Sequence, residues 1–283
     1  MHFALEPLGR WTPERRYLVE RERIRAYAAA TNETAPALIS GDAAPPVFAV
    51  LPAWESIHEA TKAVVPEEAR PRVVHGEQDM FLHAPLRHGM NVVSRAAVVG
   101  VHPKSSGTTV VVKMETRDGR GALVNEQYAT EFYRGIEADA GGGETAPDHR
   151  APGGPATHEP SIDVSYRVDK DQTFRYADAS GDRNVFHLDD TAAKAVGLPG
   201  IIVHGLCVMA FTGRAVVEAA GGARQPAVRR LAVRFARPVF PGNVLTTKVR
   251  HVGSNVFAFE TLNEAGEVVI KDGLAELDLG EVR

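Results

Sequence analysis

Runs in which apolar and polar residues alternate with a period of two, each bounded by turn residues, recur in both halves of this chain and predict antiparallel strands. In the first half they fall at residues 72–82 (RVVHGEQDMFL), 91–101, 108–117 and 122–133, with Ser105-Ser106-Gly107 and Asp118-Gly119 supplying turns. In the second half they fall at 161–168, 227–236, 244–252, 254–263 and 268–279, with a hairpin turn at Glu264-Ala265-Gly266. Helical periodicity is confined to fewer stretches. A strand-like start at 17–19 leads into a helix over 22–30, and 54–64 and 173–180 read as short helices. Residues 206–220 (LCVMAFTGRAVVEAA) are apolar on most faces and closed by Gly221-Gly222, so that helix must be buried. Many strands with a few helices set apart from them define an α+β protein.

The pattern is interrupted at residues 135–160, where almost no large apolar residue occurs. Such a segment cannot bury a core, which predicts a flexible linker between a domain at 1–134 and a second at 161–283. Gly141-Gly142-Gly143 within it is no phosphate loop, because no strand leads in and no Gly-Lys-Ser/Thr follows. The two halves repeat one plan. Laying Arg25-Ala26-Tyr27 on Phe174-Arg175-Tyr176 sets Thr31-Asn32-Glu33 against Ser180-Gly181-Asp182, Ala35 against Asn184 and Leu38 against His187. Further on, residues 83–89 (HAPLRHG) fall on 236–242 (ARPVFPG). Two copies of one fold are expected, with the polar set kept only in the second.

Composition narrows the class. A chain of 283 residues with 44% hydrophobic and 24% charged residues can build two cores. A net charge of −4 without like-charged blocks gives no reason to expect nucleic acid or an anionic membrane surface. The single cysteine, Cys207, lies inside the apolar helical run, which excludes a disulfide framework and a cysteine metal site. His83 and His88 lack an acid or thiol to complete a ligand set, so no metal is expected. With no apolar leader and no run of about 18 apolar residues, a cytoplasmic location is expected.

Residues 176–205 (YADASGDRNVFHLDDTAAKAVGLPGIIVHG) carry the chemistry. Asp182, Asn184 and His187 lie on one loop after a short helix, and a strand-like apolar run then turns at His204-Gly205 into the buried helix. A carboxylate that takes a proton beside an imidazole that gives one suits addition of water to an activated double bond, or its reversal. The same triplet would also arise if Asp182 or Asn184 capped a helix and His187 lay on the surface. Gly205 stands where unpaired backbone N–H groups of a helix favour an oxyanion, and equally where a tight junction needs a residue without a side chain.

The stretches SGDRNVFHLDD and GLPGIIVHG, followed by RFARPVFPGNVL, resemble the signature of the MaoC-like dehydratase and (R)-specific enoyl-CoA hydratase (hydratase 2) family. Gly181, Asp182, Asn184, His187, Gly197, Pro199, His204 and Gly205 match its pattern, and Val185 stands where that pattern has proline. The resemblance is strong over most of 161–279 and weaker over 1–134. It implies a double hotdog, two curved antiparallel sheets each around a central helix, with the N-terminal unit degenerate and its helix shortened or replaced. It also implies Asp182 and His187 as the water-activating pair, Asn184 as a polar anchor, the Gly205 N–H as oxyanion donor, and Gly181 and His204 as substrate-binding positions. The implied reaction joins water to a trans-2-enoyl thioester to give the (R)-3-hydroxyacyl thioester. No cofactor is expected beyond the CoA or acyl-carrier pantetheine that bears the substrate, and a homodimer is allowed. Two rival readings are a hotdog thioesterase, which would release a thiol, and a non-catalytic acyl-thioester binding subunit, which would bind without turnover.

Overall fold

A computed structural model describes residues 1–151, 161–221 and 226–280. Its contacts group into two units that do not follow the chain in order: residues 1–19 with 49–148, and residues 20–48 with 149–283. The helix predicted at 22–30 thus belongs with the C-terminal half, although the sequence reading set it inside a domain at 1–134. Of the expected linker, 152–160 lies outside the described residues. Within the rest of it Gly142–Gly143 forms a short strand, and the His149 ring meets the Asp272 carbonyl oxygen through Nδ1 at 2.6 Å.

The first unit contains β1 (Arg15–Leu18), α3 (Trp54–Val64), β2 (Val73–Leu82), β3 (Asn91–Lys104), β4 (Gly107–Asp118), β5 (Leu123–Arg134) and β6 (Gly142–Gly143). Its strands lie in the order β1-β3-β4-β5-β2, all neighbours antiparallel, and β6 pairs with β3 at Gly100 and Val101. The helix α3 rests against β3 and β4 and buries Ile57, Ala60 and Val64. The expected turns at 105–107 and 118–119 connect β3, β4 and β5.

The second unit contains α1 (Arg21–Ala30), α2 (Pro36–Ile39), β7 (Ile162–Arg167), α4 (Gln172–Ser180), α5 (Asp190–Ala195), α6 (Gly205–Ala219), β8 (Ala227–Phe235), β9 (Val244–Gly253), β10 (Val256–Leu262) and β11 (Val268–Asp278). Its sheet runs β8-β11-β10-β9-β7, again antiparallel throughout. The helix α6 contacts all five of these strands. Cys207, Met209, Phe211 and Ala215 are each at most 2% exposed, as its apolar circumference requires. Burying a side chain the size of Phe211 or Met209 stabilises by about 1.5–3 kcal/mol. At 15 residues α6 is longer than α3 at 11. Of the closing pair Gly221-Gly222, Gly222 lies outside the described residues.

Three further stretches differ from the sequence reading. Residues 201–203 were expected to be strand-like, but they join no sheet; Val203 N–H donates to the Val239 carbonyl and the chain then turns directly into α6. The helices α2 and α5 were not foreseen, because each is a single turn or little more and too short to show a period.

The repeat reappears as geometry in the second unit. Helices α1 and α4 pack on each other, and the aligned residues Tyr27 and Tyr176 meet with hydroxyl oxygens 3.1 Å apart. Each helix ends on a left-handed residue, Asn32 at φ 53° and Gly181 at φ 83°, which the alignment had set opposite one another. Gly181 is used for that torsion alone, since an added Cβ there would meet nothing within 4 Å.

Candidate active site

The loop after α4 is shaped by its own side chains. Asp182 N–H donates to Ser180 Oγ at 3.2 Å, and Asn184 N–H donates to Asp182 Oδ1 at 3.1 Å, a local turn of the kind aspartate supplies. A turn of 3-10 helix, Val185–His187, follows and is closed by His187 N–H on the Asn184 carbonyl at 3.0 Å. It carries the His187 ring into the interior, where the residue is 7% exposed. Asn184 and Val185 remain exposed, and the Asn184 carboxamide makes no hydrogen bond among the described residues.

The His187 ring is fixed by one strong contact: Nδ1 lies 2.8 Å from the Ile202 carbonyl oxygen. A carbonyl can only accept, so Nδ1 carries the proton and Nε2 presents a lone pair. Beneath His187 lies His204, 1% exposed, with ring centroids 3.8 Å apart and planes inclined by 25°. His204 Nε2–H donates to the Asp182 carbonyl at 3.0 Å, while its Nδ1 is 3.2 Å from Thr173 Oγ1. Tyr176 packs against His204 with ring centroids 4.9 Å apart and planes inclined by 45°.

A carboxylate oxygen of Asp182 and one ring nitrogen each of His187 and His204 lie within 4.8 Å of one another. Two hydrogen bonds of about 2.8 Å meeting at a water span roughly 4.6 Å, so one water can bridge acid and imidazole. The same three residues could each offer one ligand atom to a metal ion, since His187 Nε2 keeps a free lone pair; His204 Nδ1, the nitrogen left to that ring, stands 3.2 Å from Thr173 Oγ1. Burial pushes the His187 imidazole below its ordinary value, partly opposed by the Ile202 carbonyl and Asp182. Burial, and then the neighbouring His187, push His204 down to about 4. Both rings are therefore neutral at pH 7.

His204 ends the segment that launches α6, and the next residue, Gly205, opens the helix. The first hydrogen bond into α6 runs from Val208 N–H to the His204 carbonyl, which leaves the first-turn N–H groups, Gly205 among them, without intrahelical partners. An added Cβ at Gly205 would lie 3.2 Å from the Phe235 ring, so the bare backbone is needed for that approach as well. The structure thus brings together Asp182, His187, His204 and the start of α6. Gly181 is the turn that releases the loop, and Asn184 sits on the loop's outer side. The sequence reading missed Thr173, Ile202 and Tyr176, which hold the rings in place. Only the aligned tyrosines of the repeat pointed to any of them.

Fold and site together define a hotdog protein that sets an acid and two imidazoles beside a helix N-terminus. Residues 148–272 match the MaoC like domain, and residues 7–127 match the FAS1-like dehydratase domain region. The chain is 34% identical over 218 residues to the 3-hydroxyacyl-thioester dehydratase Y of Mycobacterium tuberculosis, covering 74% of this chain and 73% of that protein. It is 26% identical to the peroxisomal enoyl-CoA hydratase 2 of Arabidopsis thaliana, over 70% of this chain and 66% of that one. Among solved structures it matches a MaoC-like dehydratase from Phytophthora capsici with TM-score 0.80, at 24% identity and over 95% and 97% of the two chains. A Mycobacterium tuberculosis protein described as a double hotdog fold matches with TM-score 0.61, at 15% identity and over 96% of each chain. The chain belongs to the MaoC-like dehydratase family, and its fold is the double hotdog.

Proposed function

We propose that this protein catalyses the reversible hydration of a trans-2-enoyl thioester to the (R)-3-hydroxyacyl thioester, with Asp182 and His187 holding the water. The observation that carries the reading is the approach of the Asp182 carboxylate and a His187 ring nitrogen to within 4.8 Å, beside the opening of α6. Water bound between them is polarised by the carboxylate and by His187 Nε2. As its oxygen bonds to C3, one proton leaves it for the acid–imidazole pair and one is delivered to C2. The negative charge that develops on the thioester oxygen faces the Gly205 N–H and the positive end of α6. The reverse elimination uses the same groups in opposite order. The balance closes on water and the thioester alone, so no cofactor is needed beyond the CoA or pantetheine that carries the acyl group.

The acid stands before the central helix rather than on it, and the relatives are named for hydration and dehydration, so thioester hydrolysis is not favoured. No helix among the described residues is long and apolar enough to cross a membrane. A cytoplasmic homodimer completes the proposal; light scattering of the purified chain and fractionation of the source cells check those two parts. For the reaction, loss of enoyl absorbance with trans-2-butenoyl-CoA is measured for wild type, Asp182→Asn and His187→Gln. Abolished turnover with native circular dichroism in both variants supports the assignment. Full activity in either one removes it.

A further inference from the structure

We propose that Thr173 and His204 form a brace that holds Asp182 and His187 in register for proton transfer, Thr173 acting through its hydroxyl and His204 through its ring. The proposal rests on the hydration reading above and adds two positioning residues whose hydrogen bonds run to the catalytic loop and to each other.

Thr173 lies in the first turn of α4 and is completely buried. Its Oγ1 stands 2.9 Å from the His187 carbonyl oxygen, 3.2 Å from His204 Nδ1 and 3.5 Å from the Ile202 carbonyl oxygen. One hydroxyl therefore reaches the turn that carries His187, the segment whose carbonyl fixes the His187 ring, and the ring stacked beneath it. His204 closes the circuit through Nε2–H on the Asp182 carbonyl. The protonation of His204 follows from its neighbours. The Asp182 carbonyl can only accept, so the ring proton sits on Nε2 and Nδ1 offers a lone pair to the Thr173 hydroxyl. That hydroxyl has one hydrogen and two good acceptors, His204 Nδ1 and the His187 carbonyl, and in giving it to either it ties α4 to the catalytic loop.

A neutral His204 is what the stack requires. When His187 takes a proton during turnover, a charged ring at 3.8 Å would oppose it, whereas a neutral ring does not. Without the hydroxyl, the His187 carbonyl and His204 Nδ1 lose the single donor they share, and the two stacked rings can slip relative to Asp182. A displacement of about 1 Å can cost on the order of 100-fold in rate without weakening substrate binding.

The test uses the full chain with Thr173→Val, Thr173→Ser and His204→Asn beside wild type. With trans-2-butenoyl-CoA, Thr173→Val is expected to lower kcat about 10- to 100-fold while KM stays within about threefold. Thr173→Ser should restore most of the loss, because serine returns the hydroxyl alone. His204→Asn carries the same expectation on kcat if the valine variant folds poorly. The ring nitrogen signals of His187, read by NMR, should show one Nδ1–H tautomer in wild type and Thr173→Ser and a mixture in Thr173→Val. A folded valine variant with kcat within twofold of wild type, or with an unchanged His187 tautomer, overturns the brace. If wild type hydrates no enoyl thioester, the functional reading fails alone, and the His187 tautomer still decides the brace.

Discussion

After α1 and after α4 the chain makes the same move: a helix ends on a left-handed residue, and an acid follows at once. The surroundings then diverge. Asp182 meets two neutral imidazoles and the opening of the central helix. Glu33 sits near Arg214, in the second half of that helix, and burial pushes its carboxyl up to about 7 although Arg214 pulls the other way. Arg214 itself donates to the Asn32 carbonyl and lies over the Tyr166 ring at 4.1 Å. The same kind of backbone turn thus delivers two acids to different surroundings, one beside two imidazoles and one half-buried near an arginine. The chemistry belongs to what faces the acid, and the turn only delivers it.

The sharpest break in this comparison is loss of the working half. Asp182→Asn and His187→Gln are each expected to lower kcat by about 100- to 10,000-fold, the range general acid–base groups contribute, with Tm near wild type. A pH profile comes next. Because His187 is pushed below its ordinary 6.5, activity should hold through neutral pH and fall only as pH drops through that lowered value. The folding free energy tied to both neutral rings is likewise complete above about pH 6.5 and is lost as pH falls through their folded values. An acid limb centred above 6.5 would contradict the buried geometry.

Glu33 gives a medium-sized effect of opposite sign. Its folded value lies above its ordinary 4.5, so its contribution to stability is full below about 4.5 and declines as pH rises towards 7. Glu33→Gln should therefore raise stability by about 1–3 kcal/mol at pH 8 and by little at pH 4.5, read as Tm. Smaller still is Val185→Pro. Asn184 already holds φ −59° and ψ 128°, the extended form proline demands of the residue before it, and the Val185 N–H makes no hydrogen bond among the described residues. That variant should keep full activity and gain about 0.4–1 kcal/mol. Least of all, Glu33→Asp with Ala35→Asn and Leu38→His in the Asp182→Asn background should recover no turnover. The polar set would be rebuilt near Arg214, in the second half of α6 rather than at its opening.

Much of this was legible in the residues, for physical reasons. Alternation with turn chemistry located every long strand within a few residues, although burial alternates cleanly only in strands such as β9, and β3, β4 and β5 are buried along much of their length. The apolar run at 206–220 could only be a core helix. The loop at 181–187 could be read because its acid, amide and imidazole crowd into a few positions. What could not be read lies in contacts across long stretches of chain. Thr173 is an unremarked threonine until His187 and His204 fold onto it, and Ile202 acts through a carbonyl that every residue has. Asn184 looked like a member of the site by spacing; it stands at the start of the 3-10 turn in an extended conformation, and the residue is exposed. Glu33 could be aligned with Asp182, but not placed against Arg214.

The membership of residues 20–48 in the C-terminal unit has a consequence for how the chain comes into being. These residues leave the ribosome long before the strands and helices they belong with. Ile24, Tyr27 and Phe48, all fully buried in the finished protein, must wait uncovered while more than a hundred residues follow. Folding of the second unit is therefore governed by contacts of very long sequence separation and is slow by nature. A fragment cut after residue 134 would carry those three side chains without the C-terminal half they group with, and is expected to aggregate rather than stand as a domain.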